Sequence, residues 1–225
     1  MYISVVMRYF LFGLLYVFSF ASLYSQDFDR KHAFTLELGL PNSFVNEAYK
    51  DVMQGLVNVA PYYQYTSEGG FILATGVRYS YFAVNEFRVP SKVFGGCHTM
   101  GAFGKIGYEK FVSDRFSIDM SVKVGYAEHI YNTDILRESG TPYIRLNSNF
   151  IEPTVGFVLM SDEANSYRLT VGYAFQGYGF KPWYIGLDSN IGYDPVEFDK
   201  ISSFLTIGFG YTHYFNGKSS EGFSE

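Results

Sequence analysis

What most constrains this chain is a strict two-residue alternation. From Phe116 to Tyr126, Phe116, Ile118, Met120, Val122, Val124 and Tyr126 take one set of positions, and Ser117, Asp119, Ser121, Lys123 and Gly125 the other. Successive side chains of a strand point to opposite faces, so such a run has one apolar face and one small or polar face. The pattern recurs in Tyr167, Leu169, Val171, Tyr173 and Phe175 against Arg168, Thr170, Gly172, Ala174 and Gln176, and in Phe34, Leu36, Leu38 and Leu40 against Thr35, Glu37 and Gly39. A β-sandwich or lipocalin would bury the apolar faces in a common core. The small polar faces, however, leave too little to fill a second packed layer.

Marking every such segment gives eight strands, at 32–40, 56–66, 71–83, 98–109, 116–127, 149–159, 166–176 and 201–215. Their lengths sit at or just above the 9–11 residues with which a tilted strand crosses a bilayer. Connections after strands two, four and six are short, around 67–70, 110–115 and 160–165, whereas those after strands one, three, five and seven are long. Aromatics gather at the strand ends. Tyr63, Tyr65, Phe71, Tyr108, Phe116, Phe157, Tyr167, Tyr211 and Phe215 mark the short-turn end, and Tyr79, Tyr81, Tyr126, Tyr173 and Phe175 the other. Leu73, Val77, Met120, Val122, Val171 and Ile207 lie between them, as expected of two girdles around an apolar belt. The expected fold is all-β: an eight-stranded antiparallel up-and-down transmembrane β-barrel, closed because hydrocarbon satisfies no open sheet edge.

Composition agrees. Aromatics make up 20% and charged residues only 17%, against about 25% charged in ordinary globular proteins. The mean hydropathy of 0.00 shows that the hydrophobicity is dispersed rather than gathered into membrane helices. Abundant aromatics argue against disorder, the single Cys against a disulfide scaffold, and the net charge of −5 against a nucleic-acid partner.

In strand pattern and size, residues 26–215 resemble the small eight-stranded outer-membrane proteins of the OmpA transmembrane-domain and OmpX type. The sharpest element is the last strand, Leu205, Ile207, Phe209, Tyr211, His213 and Phe215, which looks like the insertion signal read by the barrel-assembly machinery. The sequence departs from that pattern in continuing with Asn216–Glu225, a short periplasmic tail. The resemblance implies an outer-membrane location, with outer-membrane lipids and the barrel-assembly machinery as partners.

Eight strands enclose an interior just wide enough for side chains. Gly39, Gly76, Gly101, Gly107, Gly125, Gly156, Gly172 and Gly208 leave room in it, and Glu37, Asp119 and Glu152 can meet Arg78, Lys105, Lys123 and Arg168. An isolated charge there is costly, so the expectation is a mutually satisfied ion-pair network in a filled lumen rather than an ion path.

Function concentrates on loops. The long ones are read as 41–55, 84–97, 128–147 and 177–200. The last holds Phe180, Trp183, Tyr184 and Phe198, either a partner-binding patch or a seal over the barrel's own lumen. Residues 42–54 suit a short helix with Phe44, Val45, Ala48 and Val52 on one stripe. An enzyme would need a base, an orienting acid and a nucleophile within reach. The candidates are few, His129, Asp134 and Ser139 on one loop and His98 near Ser91, and their spacing implies no such assembly. No catalytic, metal or cofactor site is expected. Cys97 reads as a partly buried, unpaired thiol at a strand start.

Residues 1–25 carry one charge, Arg8, before the apolar run Tyr9–Phe20, the pattern of a signal peptide. Leu23-Tyr24-Ser25-Gln26 resembles Bacteroidota signal peptides, although Leu23 stands where a small residue is usual. The expectation is export to the outer membrane of a Gram-negative bacterium. There the chain acts as a non-enzymatic barrel with a structural or loop-mediated role, as an accessory or plug subunit of a larger secretion or transport complex, or as a lipid-modifying acyltransferase or deacylase.

Overall fold

A computed structural model describes residues 32–89, 92–187 and 192–215. The signal-peptide segment, Ser91 and the 216–225 tail lie outside the described residues. Eight strands form a closed barrel in sequence order: β1 His32–Ser43, β2 Met53–Thr66, β3 Phe71–Val84, β4 Gly95–Ser113, β5 Phe116–Thr133, β6 Ile144–Met160, β7 Asn165–Gln176 and β8 Ser202–Tyr214. Every neighbouring pair is antiparallel, and β1 closes on β8 in a register running from Ala33↔Tyr214 to Ser43↔Phe204.

The three short connections are 67–70, 114–115 and 161–164. At the first, Gly70 has φ 85°, and a Cβ there would also lie 2.4 Å from the Glu109 carbonyl oxygen, so this turn needs glycine. The long connections are 44–52, 85–94, 134–143 and 177–201. They carry helix α1 (Glu47–Val52), helix α2 (Asp134–Glu138) and two short 3₁₀ helices, Pro182–Ile185 and Pro195–Asp199.

The strands outrun the sequence reading at the long-loop end. β5 continues to Thr133 and β6 begins at Ile144, so the third loop shrinks from the expected 128–147 to 134–143. β4 likewise starts at Gly95, and the second loop ends at Phe94. The cause lies in the outward residues there, Glu128, Asn132, Arg145, Asn147 and Asn149, whose polarity breaks the apolar alternation while the backbone pairing continues.

The alternation decides which side chain faces where. Leu36, Leu38, Leu40, Leu73, Val77, Ile106, Val124, Ile151, Leu169 and Ile207 face outward and are exposed, as are the girdle residues Tyr63, Phe71, Phe157, Tyr167, Tyr211, Phe215, Tyr126 and Phe175. Large apolar side chains ring the outside of the barrel. Soluble monomers rarely expose so large an apolar surface, which marks a membrane or partner face.

Candidate functional site

The opposite parity on every strand points into the lumen and brings together all seven charged residues picked from the sequence. At the upper end, Arg78 of β3 donates to Glu152 of β6 at 2.6 Å and to Asn58 at 3.3 Å, with its guanidinium 4.8 Å from the Phe150 ring centre. Lys123 of β5 lies 2.7 Å from Glu37 of β1 and 3.5 Å from Glu152, bridging the two carboxylates. Tyr62 of β2 donates to Glu37 at 2.7 Å and accepts from Arg168 of β7 at the same distance. Arg168 also donates to Asp119 at 3.1 Å, and Lys105 of β4 closes the chain on Asp119 at 2.6 Å. One continuous run therefore links the lumen from strand to strand: Arg78, Glu152, Lys123, Glu37, Tyr62, Arg168, Asp119, Lys105.

An eighth charge, missed in the sequence, belongs to the same interior. Glu109 of β4 is fully buried and accepts from Ser117 at 2.6 Å. It shares parity with Lys105 and is the last residue of the 98–109 segment, so the alternation itself carries the signal that would have found it. With Glu109, four acidic and four basic side chains among the described residues are buried inside the barrel, and their formal charges cancel. The expected full satisfaction is not reached, because Arg168 Nε and Nη2, Arg78 Nε and Asp119 Oδ1 have no hydrogen-bond partner. Arg168 is held in part by packing. Its stem lies against Gly210, where a Cβ would come within 2.6 Å of Arg168 Cγ, so only glycine leaves the space.

At the level of Lys123 and Glu152, large side chains enter mainly from β2 to β6. The facing wall of β7, β8 and β1 is lined by small residues such as Gly39, Thr170, Gly172, Thr206, Gly208 and Gly210. Between the two sides, beside Glu37, Lys123 and Glu152, remains a cavity of about 10 Å³, room for about one water molecule.

Above the network the interior turns apolar. Tyr49, on the inner face of α1, meets Phe82, Phe180 and Phe204 edge-on at centroid distances of 5.3, 5.0 and 5.1 Å. Val93, Leu136, Ile185, Leu187 and Phe198 complete this buried cluster, so all four long loops contribute to one cap. Polar ties lock them together. Asn46 caps α1 by accepting from the Tyr49 N–H at 2.9 Å, and its amide donates to the Glu197 and Lys200 carbonyls of the fourth loop. Thr133 donates to the Ile185 carbonyl at 2.9 Å, and Phe94 N–H donates to Asp134 at 2.9 Å. Tyr193 donates to Asp51 at 3.0 Å; partial burial and that carboxylate push its phenol up to about 12.

The four fourth-loop aromatics do cluster, with Trp183 5.8 Å from Phe198 and 5.9 Å from Tyr184. Phe180 and Phe198 are buried in the cap, and Trp183 is the one that is 46% exposed, its ring 5.1 Å from the Lys181 ammonium. In the first loop α1 turns Ala48, Tyr49 and Val52 inward, while Phe44 and Val45 stay exposed. The expected stripe is thus corrected, because Asn46 starts the helix only at Glu47.

His129 is not on a loop with Asp134 and Ser139. It lies inside β5, buried beneath the cap, 2.9 Å from Thr99 Oγ1 and 2.8 Å from Ser148 Oγ, with the Tyr178 ring 4.3 Å away. Asp134 is engaged with backbone N–H groups, and Ser139 donates to the Leu136 carbonyl. His98 faces outward among the girdle rings, 2.9 Å from the Tyr79 hydroxyl. Cys97 is fully rather than partly buried, 3.8 Å from Thr99 Oγ1. Among the described residues no group of His, Cys, Asp and Glu is arranged to hold a metal ion.

No family model matches the chain. No curated protein matches it in sequence. Solved structures do match in fold. The Neisserial surface protein A superposes with a TM-score of 0.53 at 10% identity, covering 82% of this chain and 97% of that one. The fold is that of the small eight-stranded outer-membrane β-barrels. A major outer membrane protein from Thermus thermophilus gives 0.49 at 11% identity over 82% of this chain and 99% of its own. Ail, the attachment invasion locus protein of Yersinia pestis, gives 0.47 at 10% identity over 82% and 99%.

Proposed function

We propose that the protein is a non-enzymatic outer-membrane β-barrel with a filled, non-conducting lumen, which serves as a rigid scaffold for its outer loops. The observation that carries this reading is an exposed apolar belt outside and a charge-balanced network inside the same strands. The belt suits hydrocarbon, and the two girdles suit its boundaries. The network spans the lumen, and its bulky side chains, with formal charges that cancel, fill the section that a continuous water path would need. The cap covers its outer end. Export by residues 1–25 is part of this reading. Its test is topology in intact cells: Phe87→Cys should react with a membrane-impermeant maleimide, whereas Glu68→Cys, in the first short turn, should react only after the envelope is broken. Labelling of both in intact cells would refute this orientation.

A second reading, docking on a larger outer-membrane complex, is favoured by Phe87, which is 98% exposed on a turn held by Asn85, and by Trp183. Co-purification in mild detergent as a stable large assembly supports it, and a clean monomer removes it.

A further inference from the structure

At the short-turn rim, the seam where β8 meets β1 carries a polar and aromatic cluster that neither the lumen nor the cap explains. Asn165 donates from its amide nitrogen to both carboxylate oxygens of Asp162, at 2.9 Å each, which directs its carbonyl oxygen toward β8. That oxygen accepts from the Tyr211 hydroxyl and lies 2.9 Å from His213 Nδ1. A carbonyl oxygen only accepts, so His213 donates from Nδ1, and in the neutral ring its Nε2 is left as a bare acceptor. Phe215 stands edge-on to His213 at 5.5 Å and stacks on Tyr63 at 6.4 Å. On β1, His32 Nδ1 lies 2.6 Å from the Tyr63 hydroxyl, and its ring is flanked by Tyr63 and Tyr65. When that hydroxyl donates, His32 presents Nε2–H outward.

The two imidazoles share the outer face of the seam. Phe34 pairs with His213 across the seam, which puts His32 on the diagonal from it, a spacing of about 7–8 Å on a sheet face. One end of the cluster therefore offers an acceptor, aromatic faces and a nearby carboxylate, all of which favour a cation. The other end offers a donor, which favours an anion. We propose that this seam cluster binds the zwitterionic headgroup of an amine-bearing phospholipid, with the ammonium at His213 and Phe215 and the phosphate at His32. It rests on the membrane-spanning reading, because the cluster lies in the girdle facing the head groups. The site needs the closed barrel: Asn165 and Tyr211 come from the last two strands, and His32 and Tyr63 from the first two.

The test uses the full chain inserted into mixed nanodiscs of phosphatidylethanolamine and phosphatidylglycerol, with retained lipid counted by native mass spectrometry. The wild type should retain the amine lipid about fivefold in excess, equivalent to about 1 kcal/mol. His213→Leu should abolish the excess, and Phe71→Leu, elsewhere in the same girdle, should leave it unchanged. Replacing the amine lipid by its N-acetylated form should abolish the excess with the wild-type chain itself, independently of any variant's folding. An inserted wild-type barrel with no preference overturns the site, as does equal loss from Phe71→Leu. A chain that does not insert at all overturns the membrane reading beneath it.

Discussion

The barrel's membrane section and its cap are built with opposite polarity. In the membrane section the outside is Leu, Val, Ile and aromatic, and the inside holds eight buried charges. In the cap the inside is Tyr49, Phe82, Phe180, Phe204 and their aliphatic neighbours, and the outward positions of the continuing strands include Glu128, Asn132, Arg145 and Asn147. Strands β5 and β6 run through both sections. The fold therefore does not choose what is buried; the medium outside does. Where lipid covers the wall, burying charge inside in matched pairs is the workable solution. Where water covers it, burial of apolar surface again drives packing.

The comparison can be broken at either level. The largest effect is expected from Arg168→Met, which leaves Asp119 and Glu37 short of a cation and should cost about 3–5 kcal/mol of barrel stability in urea titrations in detergent. Tyr49→Ala empties the space between three Phe rings and should cost about 3 kcal/mol, confined to the cap. Faster hydrogen exchange in the loops with an unchanged barrel midpoint is the expected signature. An equal fall in the barrel midpoint would mean that the two sections are one cooperative unit. Asn46→Ala removes the α1 cap and two bonds to the fourth loop, and should raise proteolysis there with a loss of about 1 kcal/mol. Arg145→Ala breaks an exposed pair with Glu128 and should change stability by about 0–1 kcal/mol, an effect erased by salt.

This inversion also explains what could be read from the sequence. Alternation revealed the eight strands and placed Glu37, Arg78, Lys105, Asp119, Lys123, Glu152 and Arg168 inside, because parity along a strand is a local property. The upper parts of β4, β5 and β6 look like loop in the sequence because an apolar outer face marks a strand only as far as the hydrocarbon reaches. Tyr49 escaped for a related reason. Its partners Phe82, Phe180 and Phe204 are far away in sequence, and the start of α1 is set by a single capping Asn. The same polar outer face hides that His129 lies within β5, and its surroundings, Thr99, Ser148 and Tyr178, come from three other segments.

The most direct test of the sealed lumen is single-channel recording of the purified protein in planar bilayers, with Tyr49→Ala recorded alongside. The account predicts no unitary current from either chain, because the charge network closes the barrel below the cap. Steady unitary openings from the wild type would contradict it.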